Sequence, residues 1–195
     1  MLFVRHGQTP TTGTTLPGRA KGLHLAEKGE QQAAAVAERI APFGDRVAAV
    51  YASPLERTRE TAAPIAKALK KRVRASRGLL ECDFGAWTGR RHNELITELG
   101  AAYHEFWKSP ARNRPPGGES FVDQIDRARA GLALLPAGDA VLVVHSGTIR
   151  AVLAIALDLA PDSALRFVID PLSLTRIDRL ADGWRVVAVN QRSKV

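Results

Sequence analysis

Three short stretches of this 195-residue chain carry side chains able to do chemistry together: Arg5-His6-Gly7, Ser53 with Arg57 four residues on, and His145-Ser146-Gly147-Thr148. Arginine offers planar, permanently charged N–H donors that match phosphate oxygens. Histidine serves as nucleophile, acid or base near neutral pH. A glycine directly after Arg5-His6, and another two residues after His145, let the backbone turn sharply and a ligand come close. The residues after His145 open a helix, whose free amides and positive dipole end attract an anion. Two arginines and two histidines around a helix N-terminus describe a phosphate pocket with its own nucleophile. One histidine at a strand end is more simply a structural hydrogen-bonding residue. Two of them in matching settings point to catalysis.

These stretches meet only if the strands before them are neighbours. Residues 1–5 read as a short buried strand and 8–24, rich in Thr, Gly and Pro, as a loop. From Glu27 to Phe43 apolar residues recur at helical spacing (Ala33, Val36, Ala37, Ile40). A second strand spans 47–52. Pro54 then suits the first turn of a helix running to Leu69, with Ser53 as its cap. Residues 72–76 read as a third, edge strand. The segment 79–118 is less regular and reads as an insertion covering the active site, with one helix near 91–108. Helices are predicted over 120–135 and 146–158, flanking an apolar strand at 140–144. Strands at 172–177 and 184–189 are separated by a turn at Asp182-Gly183. The alternation predicts one α/β domain over 1–195: a three-layer α/β/α sandwich with a mostly parallel central sheet. In such sheets ligands sit beyond the carboxyl ends of the strands, where Arg5-His6, Ser53 and His145 all fall.

Composition excludes several classes. Hydrophobic content of 45% and charged content of 25% are those of a globular protein. No stretch approaches the about 18 apolar residues of a membrane span. Residues 1–4 are too few for a signal peptide, so the cytoplasm is the expected compartment. Cys82 is the only cysteine, leaving neither an intrachain disulfide nor a cysteine metal site. His24, His92 and His104 are too dispersed for zinc, and neither metal nor cofactor is expected. The net charge of +8 suits polyanions or phosphorylated small molecules. No compact basic run carries interleaved aromatics, so nucleic acid is not an expected partner. The densest basic cluster, Lys67 to Arg77, reads as a helix end running into a strand.

VRHGQT, then ASPLERTRETA, then VVHSGTIRA, in that order and spacing, resemble the histidine phosphatase (phosphoglycerate mutase-like) superfamily over essentially the whole chain. The resemblance implies that His6 is the nucleophile that becomes phosphorylated. It implies that Arg5, Arg57 and His145 hold the phosphoryl group. It also implies that Glu81, in LLECDFGAWTG, protonates the leaving oxygen, with Asp83 as the competing candidate. One departure stands out. Where many members carry an asparagine touching phosphate, this chain has Thr12. Gln8 and Thr9 are further candidates for substrate contact, and Gly147 and Thr148 for phosphate contact through amide or hydroxyl.

The segment ECDFGAWTGRRHNEL, the aromatics Tyr103, Phe106 and Trp107, the run RPPGGESF and the C-terminal FVIDPLSLTRIDRLADGWRVVAVN are similar to α-ribazole phosphatases of cobalamin biosynthesis. That resemblance implies α-ribazole 5′-phosphate as substrate, with Trp87, Tyr103 and Trp107 as stacking surfaces. The structural alternative is that these aromatics close a small core under the insertion. Glu119 matches a glutamate of the active-site rim. The DFGxWxG pattern also occurs in broad-specificity members, so a general sugar- or nucleotide-phosphate phosphatase is the alternative, and a phosphoglycerate mutase a third. The expected partner is a small phosphomonoester, and a homodimer is left open.

Overall fold

The computed structural model describes residues 1–192; the last three positions of the domain expected over 1–195 lie outside the described residues. In chain order the elements are β1 (Leu2–Arg5), α1 (Glu27–Ile40), β2 (Ala49–Ala52), α2 (Glu56–Ala68), β3 (Val73–Ala75), α3 (His92–Leu99), α4 (Ala101–Lys108), α5 (Phe121–Ala133), β4 (Ala140–Val144), α6 (Ser146–Leu157), α7 (Pro161–Ala164), β5 (Leu174–Leu180) and β6 (Gly183–Gln191). The strand order is β3-β2-β4-β1-β5-β6. The first four run parallel, and β5 and β6 close the sheet as an antiparallel hairpin.

Strand alternation builds the three layers. Successive side chains point to opposite faces. Val4, Val141 and Val143 pack with Ala33, Val36 and Ile40 of α1 and Ala62 and Ile65 of α2. Phe3, Leu142 and Val144 pack on the other side with Leu132 of α5 and Ile149, Val152 and Leu153 of α6. All five residues of β4 are buried, as a central strand covered on both faces requires. Each such side chain contributes about 1.5–3 kcal/mol by leaving water.

Parallel pairing then fixes the geometry of the strand ends. Arg5 of β1 pairs in register with Val144 of β4. His6 and His145, the next residue of each strand, therefore emerge side by side. Ala52 of β2 pairs with Val143, which brings Ser53 to the same edge.

Several expectations need correction. Ser53 does not cap α2, which begins at Glu56 behind Leu55 with no side-chain cap, and Pro54 lies ahead of the helix. The helix expected near 91–108 is two helices broken at Gly100, whose φ of 49° and ψ of −116° only glycine adopts readily. The break lets α4 fold back, so that Tyr103 and Phe106 join Leu16, Trp87 and Leu95 in a satellite core separate from the two beside the sheet. The short α7, opened by Pro161, was not predicted. Among the described residues, no helix is long and apolar enough to cross a membrane.

Candidate active site

A cavity of ≈ 660 Å³ opens beyond the carboxyl ends of β1 and β4. Arg5, His6, Thr9, Thr12, Glu81, Ser146, Gly147 and Arg150 line its inner wall, and Phe84, His92, Phe106, Trp107 and Pro110 its outer wall. His6 is only 5% exposed. Its Nδ1 lies 2.8 Å from the Gly7 carbonyl oxygen. A carbonyl only accepts, so Nδ1 carries the hydrogen and Nε2 keeps its lone pair. Nε2 has no hydrogen-bond partner among the described residues. Burial, with Arg57 and Arg5 close by, pushes the His6 pKa down to about 3. The ring is therefore neutral at pH 7, as an attacking imidazole must be.

Arg57 and His145 are fully buried behind that wall. The His145 ring sits 5.2 Å from that of His6, edge to face. Its Nε2 is 2.9 Å from the Ser53 hydroxyl, and Nδ1 has no partner. Burial foremost, then Arg57, holds the His145 pKa well below the ordinary histidine range. Arg57 donates through Nη2 to the Gly18 carbonyl at 2.7 Å, and Arg5 through Nη1 to that of Ile169 at 2.5 Å. The Nε atoms of both arginines are buried and unpaired. Buried polar nitrogens without partners are costly. Three of them gathered around His6 suit an anionic group that would use them.

The Glu81 carboxylate faces the cavity from the side and is held by three N–H donors. Oε1 accepts from the Cys82 amide at 3.0 Å and Gln124 Nε2 at 2.9 Å, and Oε2 from the Gly147 amide at 3.2 Å. This corrects the reading of Gly147 and Thr148 as phosphate ligands. The amide at the start of α6 is taken by Glu81, and a Cβ at position 147 would collide with its carboxylate. The Thr148 hydroxyl donates to the Leu80 carbonyl at 3.0 Å, fixing the segment that carries Glu81. Gly7 is likewise small for packing rather than for a ligand: a Cβ there would sit 2.7 Å from the Gly29 carbonyl oxygen of α1.

The remaining sequence candidates divide. Thr9 and Thr12 line the cavity, their hydroxyls 3.0 Å apart and the Thr9 amide donating to Thr12 Oγ1. Gln8 does not reach it; it lines a separate depression with Gln32 and Asp170. Trp87 is 6% exposed inside the satellite core, so it offers no stacking face, and Tyr103 is buried there too. Trp107, 40% exposed, does line the cavity. Asp83 is turned away to Arg19 and the Gly85 amide. Glu119 accepts from Arg19 and from two nitrogens of Arg127. Arg127 also donates to the Gly78, Leu80 and Glu81 carbonyls. Glu119 thus helps lock the strand-end loops around Glu81.

Sequence reasoning missed Gln124, Arg127 and the Ser53–His145 contact. Only Ser53 had a signal, its place at the end of a strand. Among the described residues no three His, Cys, Asp or Glu side chains group as a metal site.

The buried histidines make stability depend on pH. The folded pKa of His6, about 3, lies below the unfolded value near 6.5. Between the two the unfolded chain binds the extra proton, so stability is fully present above 6.5 and lost as pH falls toward 3. His145 acts in the same sense. Lowering the pH from 7 to 5, above the carboxylate range, should lower Tm; a flat or rising Tm over that interval would contradict the buried neutral state.

The model of the histidine phosphatase superfamily (branch 1) matches residues 1–192. The chain is 37% identical over 196 residues to the bifunctional protein Rv2228c of Mycobacterium tuberculosis, covering 98% of this chain but 53% of that protein, so it spans about half that relative's length. It is 32% identical over 195 residues to the probable phosphoglycerate mutase GpmB of Salmonella paratyphi B, covering 95% of this chain and 90% of that one. Among solved structures, the mycobacterial glucosyl-3-phosphoglycerate phosphatase Rv2419c superposes with a TM-score of 0.85 at 29% identity over 98% of both chains. The α-ribazole phosphatase of Shigella flexneri gives 0.85 at 24% identity over 97% and 95%, a likeness of fold. Motifs, fold and the full-length match agree: the chain belongs to the histidine phosphatase superfamily, branch 1.

Proposed function

We propose that this protein hydrolyses a small phosphomonoester through a phosphohistidine at His6. The observation that carries the proposal is the state of the His6 ring: Nδ1–H tied to the Gly7 carbonyl, Nε2 unpartnered, the imidazole neutral, and unpaired N–H donors of Arg5 and Arg57 nearby. Nε2 attacks phosphorus, an N–P bond forms and the ester P–O bond breaks. The arginines neutralise charge on the equatorial oxygens, and the His145 Nδ1–H donates a hydrogen bond to one of them. Glu81 gives a proton to the leaving oxygen, then takes one from the water that attacks the phosphohistidine. The N–P bond breaks, and inorganic phosphate leaves. No step calls for a metal. The lone, buried Cys82 supports a cytoplasmic setting.

Within that activity α-ribazole 5′-phosphate is the first substrate to test. Phe84 and Trp107 on the outer wall support it as faces for a flat base. A second reading, an ester carrying a further acid group, draws on the 29% identity to the glucosyl-3-phosphoglycerate phosphatase. A mutase draws on the 32% identity to GpmB. Phosphate release is measured without added metal from α-ribazole 5′-phosphate, glucosyl-3-phosphoglycerate, sugar phosphates, nucleotides and 3-phosphoglycerate. A kcat/KM for one ester well above the rest identifies the substrate, and a flat profile leaves a general phosphatase. Isomerisation of 3-phosphoglycerate without phosphate release would overturn hydrolysis.

Glu81→Gln should slow alkyl phosphates, which need a proton on the leaving oxygen, by about 10²–10⁴. Aryl phosphates, with good leaving groups, should suffer far less. Equal losses on both would remove the acid role.

A further inference from the structure

One acceptor beside Glu81 is left without a donor. Gln124 lies on α5 three residues before Arg127, so both side chains reach the segment that carries Glu81. Gln124 is fully buried. Its Nε2 donates to Glu81 Oε1 at 2.9 Å and lies 3.4 Å from the Thr148 hydroxyl. That hydroxyl gives its hydrogen to the Leu80 carbonyl, so towards Gln124 it can only accept. Two acceptors on one side fix which end of the amide is nitrogen. The carbonyl end, Oε1, is buried without a partner, although Gln124 lines the cavity. An unmatched buried acceptor is costly. Gly147 shows where it lies: a Cβ there would collide with Glu81 Oε1 and sit 2.9 Å from Gln124 Oε1. The two oxygens border one point on the wall, close enough for a single water to donate to both.

The phosphoryl group cannot supply that donor. A phosphomonoester dianion offers only acceptors, and so does the phosphohistidine formed from it. The water of the second step carries two O–H bonds. Its oxygen forms the new P–O bond while the N–P bond breaks and the electron pair returns to His6 Nε2. One hydrogen passes to Glu81. The other stays on the oxygen and ends as a hydroxyl of inorganic phosphate. We infer that Gln124 is a further catalytic residue of this second step, its Oε1 accepting a hydrogen bond from the retained O–H and so aiming the water's lone pair at phosphorus. The inference rests on the phosphatase reading above. It gives the site a preference for water over alcohols as the group that takes the phosphoryl. A simple alcohol has one O–H, spends it on Glu81 and leaves Gln124 Oε1 unmatched.

The test is a competition between water and methanol. The phosphoryl donor is p-nitrophenyl phosphate, whose leaving group needs no proton and carries no spare hydroxyl. Inorganic phosphate and methyl phosphate are counted per mole of each acceptor. The wild-type protein should favour water by about tenfold or more. Gln124→Met keeps the length of the side chain and removes the acceptor. It should lose far less of its first-turnover burst of nitrophenol than of its steady-state rate, and acid-labile ³²P should build up on the protein. Breakdown of the phosphohistidine by water should slow by about ten- to a hundredfold, and the preference for water should fall by about tenfold, the size of a lost hydrogen bond. Burst amplitude counts the folded sites, and Gln124→Leu serves as the second variant. Equal losses towards water and methanol would mean that Gln124 acts only by positioning Glu81, and would overturn the inference. So would a wild-type protein that takes methanol as readily as water, a result that needs no variant to fold. Phosphate release without that preference removes the inference and leaves the phosphatase standing; no release from p-nitrophenyl phosphate removes both.

Discussion

Alanine at position 6 should leave phosphate release at least about 10⁴-fold below wild type, because no other group is placed to accept the phosphoryl group. Nothing else on the cavity wall offers an unpartnered neutral imidazole. His92 lines it too, but its Nδ1 lies 2.7 Å from the Tyr103 hydroxyl within the outer wall. His145 is buried behind the wall with Nε2 on Ser53. The measurement is steady-state release together with acid-labile ³²P incorporation, which should vanish in the variant. Removing a buried ring whose pKa is held down by burial should also flatten part of the pH dependence of Tm. A variant within tenfold of wild type would end the phosphohistidine mechanism.

Arg57→Lys should lower kcat/KM by about 10²–10³ although the charge is kept. The guanidinium is fully buried, reaches the Gly18 carbonyl with Nη2, and leaves Nε unpaired beside the histidines. A lysine ammonium cannot hold that carbonyl and present a second donor in a fixed direction at once. Vanadate affinity should fall with kcat/KM, since both report the fork around a trigonal phosphoryl group. Tm should drop as well, through the lost tie to the 8–24 loop. Activity within threefold of wild type would show that the fork is not used.

The chemistry was the most legible part of this sequence because it sits at strand ends. Val4 and Val144 end apolar runs, and the residues just after each run must emerge at the sheet edge. Arg5-His6 and His145 are placed there by that alone. Glu81 is different. It belongs to an irregular segment, and its position depends on Gly147 lacking a Cβ, on Gln124 reaching across from α5 and on Arg127 gathering three carbonyls. None of these contacts has a sequence period. Trp87 misled for a related reason: an aromatic next to a candidate site looks the same in sequence whether it faces ligand or core. The Gly100 break decided the matter by folding α4 back over it.

Part of the positive charge has an internal explanation. Arg5, Arg57, Arg127 and Arg150 each donate to backbone carbonyls around the cavity rather than forming a surface patch. They act as cross-braces of the loops around the cavity, and Arg5 and Arg57 keep an unpaired Nε besides, so a share of the +8 is bound up in the site itself.

The satellite core of Leu16, Trp87, Leu95, Tyr103 and Phe106 gives the aromatic cover a small apolar cluster separate from those packed on the sheet. The histidines extend a hydrogen-bonded pair of central strands and open only when the sheet does. The aromatic cover has its own small core and opens at lower free energy. On warming, discrimination between substrates should therefore fade before turnover does, and amide exchange in α3 and α4 should run well ahead of exchange in β1 and β4. The catalyst would become less choosy before it becomes less active.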